Sequence, residues 1–195
     1  MRLRFPTSRL PCPLMCKLYP MAPRDPVERY FRARVPETNN ARSETAASRP
    51  TYRAAWAAGQ RCLIPAAWYQ EPNWETGRNV WRRMTRADGE PWAIAGLWSE
   101  WTDPATGEIV PNFTMLTVNC DGHPSLGRLH EPDPKLPADA QDKRSVVSLE
   151  PDQWTAWFEA TPDEAMGLLV APPTERFDRS DTLRTDQSLG RQTGR

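Results

Sequence analysis

The segment RCLIPAAWYQEPNW, residues 61–74, has a carboxylate where a strand interior normally has an apolar side chain. A short apolar run typical of a buried strand leads within a few residues to Glu71. An unpaired buried carboxylate is costly, whereas a short strand edge can hold one at the surface without cost. The residues near Glu71 therefore decide whether it is interpreted as a functional group or as a surface carboxylate. Trp68 and Trp74 bracket it and are candidates for stacking on nucleobases, although most tryptophans pack in cores.

Cys16 and His130 are the other residues whose types could do chemistry. If translation began at Met15, methionine removal would leave Cys16 with a free α-amine beside its thiol. An aldehyde condenses with such a 1,2-aminothiol to a five-membered thiazolidine; the alternative is an incidental or buried cysteine. His130 can exchange a proton near neutral pH, and the basic pair Lys143–Arg144 that follows its proline-rich loop could hold a phosphate. His123, in a predicted turn, is expected to be structural.

Composition limits the class of protein. A chain of 195 residues is typical of one compact domain. The 25 basic and 25 acidic residues balance, so no net positive charge attracts nucleic acid or membrane, and any anion site is local. No apolar run is long enough to cross a bilayer, and we expect a cytoplasmic protein without a membrane partner. Four scattered cysteines and two histidines favour reduced thiols, no structural metal and no cofactor.

Strand patterns dominate the middle of the chain. The sequence predicts an irregular leader at residues 1–14, one domain at 15–177 and a polar, disordered tail at 178–195. Together the patterns indicate an α+β domain, a mostly antiparallel twisted sheet or open barrel with peripheral helices. Predicted strands are Cys62–Ala66, Trp68–Glu71, Asn79–Thr85, Trp92–Trp98 (apolar on both faces), Asn112–Cys120 and Arg144–Leu149, and predicted helices are Pro26–Arg34, Thr51–Ala58, His123–His130, Pro151–Phe158 and Asp163–Leu169.

Five stretches recur in the same order in one known family. They are MCKLY at Met15–Tyr19, NARSET at Asn40–Thr45, RCLIPA followed by Glu71, AGLW at Ala95–Trp98 and FTMLTVN at Phe113–Asn119. On these motifs the sequence resembles the SRAP family, the SOS-response-associated peptidase domain found in abasic-site shields. The resemblance extends from about Met15 to Phe158.

The resemblance implies a catalytic set. Cys16 resembles the N-terminal cysteine that forms a thiazolidine with the ring-opened aldehyde of an abasic site in single-stranded DNA. Asn40 resembles the asparagine that hydrogen-bonds near the cysteine and the sugar, and Glu71 and His130 resemble the active-site glutamate and histidine. Glu71 would then trade protons with the cysteine amine or the sugar, with Asn40 and His130 as the neighbours that tune it. The peptidase activity would remove whatever precedes Cys16.

The resemblance also implies how DNA is held. Arg42 corresponds to an arginine that contacts DNA phosphate, and Arg144 corresponds loosely to the basic position after the histidine. With Trp68 and Trp74 they form the predicted DNA contacts of a monomer.

Two departures from the family keep alternatives open. Fourteen residues precede Met15, and an acylated Cys16 has no free amine. Tyr19 and Asn40 are only 21 positions apart, where the family has a longer segment. Either Met15 is the start, or the chain clips its own leader, or the protein is inactive. One alternative is a module that binds single-stranded DNA non-covalently; another is a truncated remnant with exposed sheet edges that does not fold stably.

Overall fold

The strands divide between two sheets. The computed structural model describes the backbone of Leu14–Met15 and residues 40–178; the predicted helix Pro26–Arg34 and Cys16 lie outside these residues. One sheet has the order β1-β4-β5, and the other has the order β2-β7-β6-β3 with β8 paired to β7. The strands are β1 (Leu14–Met15), β2 (Asn40–Arg42), β3 (Arg61–Ala66), β4 (Tyr69–Asn73), β5 (Val80–Met84), β6 (Trp92–Thr102), β7 (Ile109–Asn119) and β8 (Arg144–Val146).

Short helices surround the sheets. They are α1 (Ser43–Ala46), α2 (Arg53–Ala57), α3 (Trp154–Glu159) and α4 (Pro162–Gly167). The predicted helix at His123–His130 is shorter, a 3-10 turn at Leu126–Arg128. The β1–β4 and β2–β7 pairs are parallel and the other strand pairs are antiparallel, which confirms the α+β class. Across the described residues, no helix combines the length and apolarity that a membrane crossing requires.

Strand β6 is the centre of the core. Its first six residues, Trp92–Leu97, are all buried, as predicted for a strand covered on both faces. Trp92 joins the two sheets, because its Nε1 donates to the Met84 carbonyl of β5 at 2.9 Å. The ring of Tyr69 on β4 also lies edge-on to Trp92, with centroids 5.6 Å apart. The small sheet that carries Glu71 is thus fixed to the large one.

A buried arginine closes the turn between β5 and β6. The guanidinium of Arg86 donates hydrogen bonds to the carboxylate of Asp88 and to that of Glu150. It also lies 5.5 Å from the centroid of the Trp92 ring. The hydrogen bond from Arg86 lowers the pKa of Asp88 to about 2. This network ties the β5–β6 turn to the segment that leads into α3.

Gly96, in the AGLW stretch, lies where residues of β3 and β7 pack closely against β6. A Cβ at Gly96 would lie 2.6 Å from the Thr114 carbonyl oxygen and 2.7 Å from Ile64 Cδ1. Backbone cannot give way as a flexible side chain can, so the motif requires glycine for packing.

We therefore expect Gly96→Ala to reduce the free energy of unfolding by about 1–3 kcal/mol or more, because it overpacks the core. Urea denaturation followed by tryptophan fluorescence measures this loss. Gly167→Ala is the matched control, since nothing lies within 4 Å of its added Cβ. Equal stability of the two variants would contradict the packing argument.

His123 is structural, as its turn position indicates. Its Nδ1 accepts hydrogen bonds from the backbone amides of Ser125 at 3.2 Å and Leu126 at 3.0 Å, and its Nε2 lies 3.0 Å from the Pro172 carbonyl. An Nδ1 that accepts from two amides must be unprotonated, so the fold selects the neutral ring with hydrogen on Nε2. Burial lowers the pKa of His123 accordingly.

Protonation of His123 should therefore destabilise the fold. Its folded pKa lies below the unfolded value of about 6.5, so its contribution is complete above that pH and is lost as the pH falls through the folded pKa. We expect the melting temperature of the wild type to fall more between about pH 7 and pH 5 than that of His123→Asn. Parallel curves for the two proteins would contradict this assignment.

Candidate active site

Glu71 is fully buried and faces a histidine. It lies in the middle of β4 and has 0% exposure. Nε2 of His130 lies 3.3 Å from Glu71 Oε2 and 2.7 Å from the carbonyl oxygen of Arg144. A carbonyl oxygen can only accept, so Nε2 carries a hydrogen and donates it to the Arg144 carbonyl, with the Glu71 carboxylate beside it. The imidazole thus lies against a buried carboxylate, and the surface position considered for Glu71 is excluded.

The segments on both sides of His130 hold it in place. Before it, the Leu129 carbonyl accepts a hydrogen bond from the Trp74 amide at 2.9 Å, which ties the segment to the end of β4. Lys143 is buried, and its ammonium donates to the carbonyl of His130 itself. Burial lowers the pKa of Lys143. The ring of His130 is therefore fixed from the strand side and from the far end of its loop.

Asp121 holds the C-terminal end of the loop at residues 131–142. Its two carboxylate oxygens accept hydrogen bonds from the backbone amides of Asp142, at 2.9 Å, and Lys143, at 2.7 Å. Within the loop, the side-chain amide of Gln141 donates to the carbonyls of Asp133, Leu136 and Pro137. The proline-rich insertion is thus internally cross-linked and returns the chain to β8 beside His130.

The strand before Cys16 runs next to Glu71. Met15 pairs in parallel with Gln70, the residue that precedes Glu71. Cys16 itself lies outside the described residues. Asn40 is half-buried at the start of β2, opposite Met115 of β7, and its carbonyl accepts from the Tyr52 hydroxyl at 3.5 Å.

The two arginines of the predicted phosphate contacts lie together, and both are paired with carboxylates. Arg144 donates to Glu44 through two nitrogens at 2.9 and 2.8 Å and to the Thr117 carbonyl at 2.7 Å. Arg42 forms an ion pair with Asp142 at 2.6 Å, and Asp142 also lies 3.3 Å from Arg144. Their positive charge is therefore largely compensated within the protein.

The two tryptophans near Glu71 are half-buried. Trp74 follows the end of β4, and Trp68 precedes its start. The Arg83 guanidinium lies 4.2 Å from the centroid of the Trp68 ring, which occupies one face of that ring. Arg82 and Arg83 have no sequence motif that marks a function. Arg82 lies opposite Glu71 in the β4–β5 ladder, and only this pairing brings it to attention.

The two cysteines inside the described residues are poor nucleophiles. Burial raises the pKa of Cys62 to about 11. Burial, with the negative charges of Glu71 and Asp121, raises the pKa of Cys120 to about 12. Within residues 40–178, no group of three or more His, Cys, Asp and Glu residues could hold a metal ion.

We expect Cys62 and Cys120 to remain unmodified when the native protein is treated with iodoacetamide at about pH 8, because only a thiolate is alkylated rapidly. Peptide mapping by mass spectrometry shows the modified positions, and guanidinium-denatured protein is the control in which both should react. Rapid labelling of Cys120 in the native state would contradict the burial of its thiol.

Comparison with known proteins identifies the family. The chain matches the SOS response associated peptidase (SRAP) family over residues 20–184 and belongs to it. The matched range begins after Cys16. The fold is shared with solved structures: a crystallised protein from Bordetella bronchiseptica is 38% identical with a TM-score of 0.68, over 77% of this chain and 68% of that one. A protein from Bacteroides thetaiotaomicron is 24% identical with a TM-score of 0.59, over 71% of this chain and 56% of that one.

A curated relative is also similar. The abasic site processing protein HMCES of Xenopus tropicalis is 25% identical over 150 residues, which are 68% of this chain and 42% of that protein. The chain therefore spans less than half the length of this relative.

Proposed function

We propose that this protein captures abasic sites in single-stranded DNA through a covalent bond to Cys16. The observation that carries the proposal is the buried Glu71 carboxylate, with His130 Nε2 at 3.3 Å, beside the strand that leads into Cys16. Family membership and the similarity to an abasic site processing protein support it. Stability alone gives no reason to bury a carboxylate at this position.

The proposed chemistry needs a proton donor and acceptor at one place. The α-amine of Cys16 adds to the aldehyde carbon of the opened sugar, and loss of water gives an imine. The thiol sulfur then adds to the imine carbon while its proton passes to the nitrogen, which closes the thiazolidine. Glu71 accepts and returns the protons, and His130 donates to the oxygen that leaves as water. Asn40 is proposed to hydrogen-bond the sugar.

The same pair is proposed to expose the amine. Met15, which supplies the carbonyl of the peptide bond to Cys16, pairs with Gln70, the residue before Glu71. Attack of the Cys16 thiol on the Met15 carbonyl, with Glu71 taking the thiol proton and returning it to the α-amine, would release residues 1–15 after hydrolysis of the thioester. Removal of the leader and capture of the lesion would then use one set of residues.

The DNA strand is proposed to lie across Arg42, Arg144, Trp68 and Trp74. Arg42 is exposed over 57% of its side chain and can exchange Asp142 for a phosphate. Trp68 and Trp74 can stack on bases beside the lesion.

Non-covalent binding of single-stranded DNA is the second candidate. It is favoured by the pairing of Leu14 and Met15 with β4, because an uncleaved chain paired in this way would have no free amine at Cys16. Such a module would use the same DNA contacts without chemistry at Cys16.

Incubation with a single-stranded oligonucleotide that contains one abasic site tests the proposal. We expect a DNA adduct that survives a denaturing gel, is absent with Cys16→Ser and forms about 10²–10⁴-fold more slowly with Glu71→Gln. Cys12→Ser, which changes a thiol four residues away, is the matched control and should form the adduct at the wild-type rate.

Intact mass of the purified protein separates the two candidates. A mass that begins at Cys16, together with the adduct, supports covalent capture. A mass that retains the leader, with no adduct but binding that weakens steeply with salt, would contradict covalent capture and support non-covalent binding.

A further inference from the structure

Arg82 extends from the same face of the small sheet as Glu71. The two residues are directly opposite in the antiparallel β4–β5 ladder. Residues opposite each other in such a ladder point to one face, with Cβ atoms about 4.5–5.5 Å apart. Tyr69 and Met84, also opposite each other and both buried, lie on that face as well. The side chain of Arg82 therefore leaves the small sheet on the face that carries Glu71.

Arg82 is half-buried, yet it forms no ion pair and no side-chain hydrogen bond inside residues 40–178. Its Nε is buried without a hydrogen-bond partner, and its guanidinium forms no ion pair with those residues. Partly desolvating a charge without a partner reduces stability. The other buried or half-buried arginines of this range, apart from Arg83 over the Trp68 ring, all donate to an oxygen; they are Arg61, Arg86, Arg144 and Arg176.

The neighbouring cations are already engaged. Arg144 is paired with Glu44, Arg42 with Asp142, and the Lys143 ammonium with the His130 carbonyl. A phosphate that binds Arg42 or Arg144 must displace a carboxylate, whereas a phosphate at Arg82 displaces no residue of the described part of the chain. The planar guanidinium also matches the geometry of phosphate oxygens.

We propose that Arg82 is a phosphate-binding residue for the single strand that enters the site. It holds one phosphodiester next to the abasic sugar and offsets the repulsion between that phosphate and the Glu71 carboxylate. The proposal rests on the proposed function for the identity of the ligand. It adds a backbone contact on the β4–β5 hairpin, on a different sheet from Arg42 and Arg144.

Fluorescence anisotropy of the full chain with a single-stranded oligonucleotide that carries one tetrahydrofuran site tests this inference. Tetrahydrofuran has no aldehyde, so binding is measured without covalent capture. We expect Arg82→Ala to bind about tenfold more weakly at low salt. Its slope of log affinity against log salt should be less negative by about 0.7, the change for one lost phosphate contact on a single strand.

Matched variants isolate the charge. Arg82→Lys should keep the salt slope and lose only part of the affinity, because it retains the charge without the planar fork. Arg53→Ala removes the same charge from an exposed position on α2, which packs against β6 of the other sheet, and should bind as the wild type does. Should Arg82→Ala fail to fold, Arg82→Gln removes the charge with a side chain of similar polarity.

The outcomes separate this inference from the proposed function. Wild-type affinity and salt slope in Arg82→Ala would overturn the role of Arg82, while adduct formation with a natural abasic site would leave covalent capture standing. Arg82-dependent binding without any adduct would support the phosphate contact and overturn covalent capture. A wild-type protein that does not bind the tetrahydrofuran strand would overturn the role of Arg82, and adduct formation with a natural abasic site would decide covalent capture by itself.

Discussion

The contact between the buried Glu71 carboxylate and the His130 imidazole is the interaction around which this fold is arranged. A carboxylate without exposure to water is stable only when polar groups face it, and the imidazole at 3.3 Å is one such group. Trp92 locks β4 and β5 to the large sheet, and Asp121 and Lys143 fix the loop that delivers the histidine. Most of the unusual polar contacts near β8 therefore hold one ring in place.

Charge compensation then shapes the surface around this pair. The chain is neutral overall, so affinity for an anionic strand must come from local groups. Arg42 and Arg144 are linked through Asp142 and Glu44, which makes them an organised but compensated cluster. Arg82 and Arg83 lie on opposite faces of β5, one toward Glu71 and one over Trp68, and they contribute the less compensated charge. A DNA strand held on the small sheet, as proposed, would thus meet both the Glu71–His130 pair and these arginines.

Periodicity and composition predicted most elements from the sequence, because local apolar patterns decide where strands and helices form. The apolar run at Trp92–Leu97 is a buried central strand, and Glu71 was singled out because it breaks such a pattern. Division into two sheets was not predicted, since it depends on long-range pairing. For the same reason Arg82 was missed: its position opposite Glu71 follows only from the β4–β5 register. Phe158 is 49% exposed although its neighbour Trp157 in α3 is fully buried, because an apolar sequence does not show where a packed face ends.

In the proposed capture reaction, Glu71 and His130 act as one unit on the chemistry of Cys16. A double-mutant cycle on the rate of adduct formation with abasic single-stranded DNA tests it most directly, using Glu71→Gln, His130→Ala and the combined variant. Residues that act together show strongly non-additive losses, so the account predicts that the double variant is about as slow as the slower single variant. Losses that multiply would show that the two residues act independently and would contradict the account.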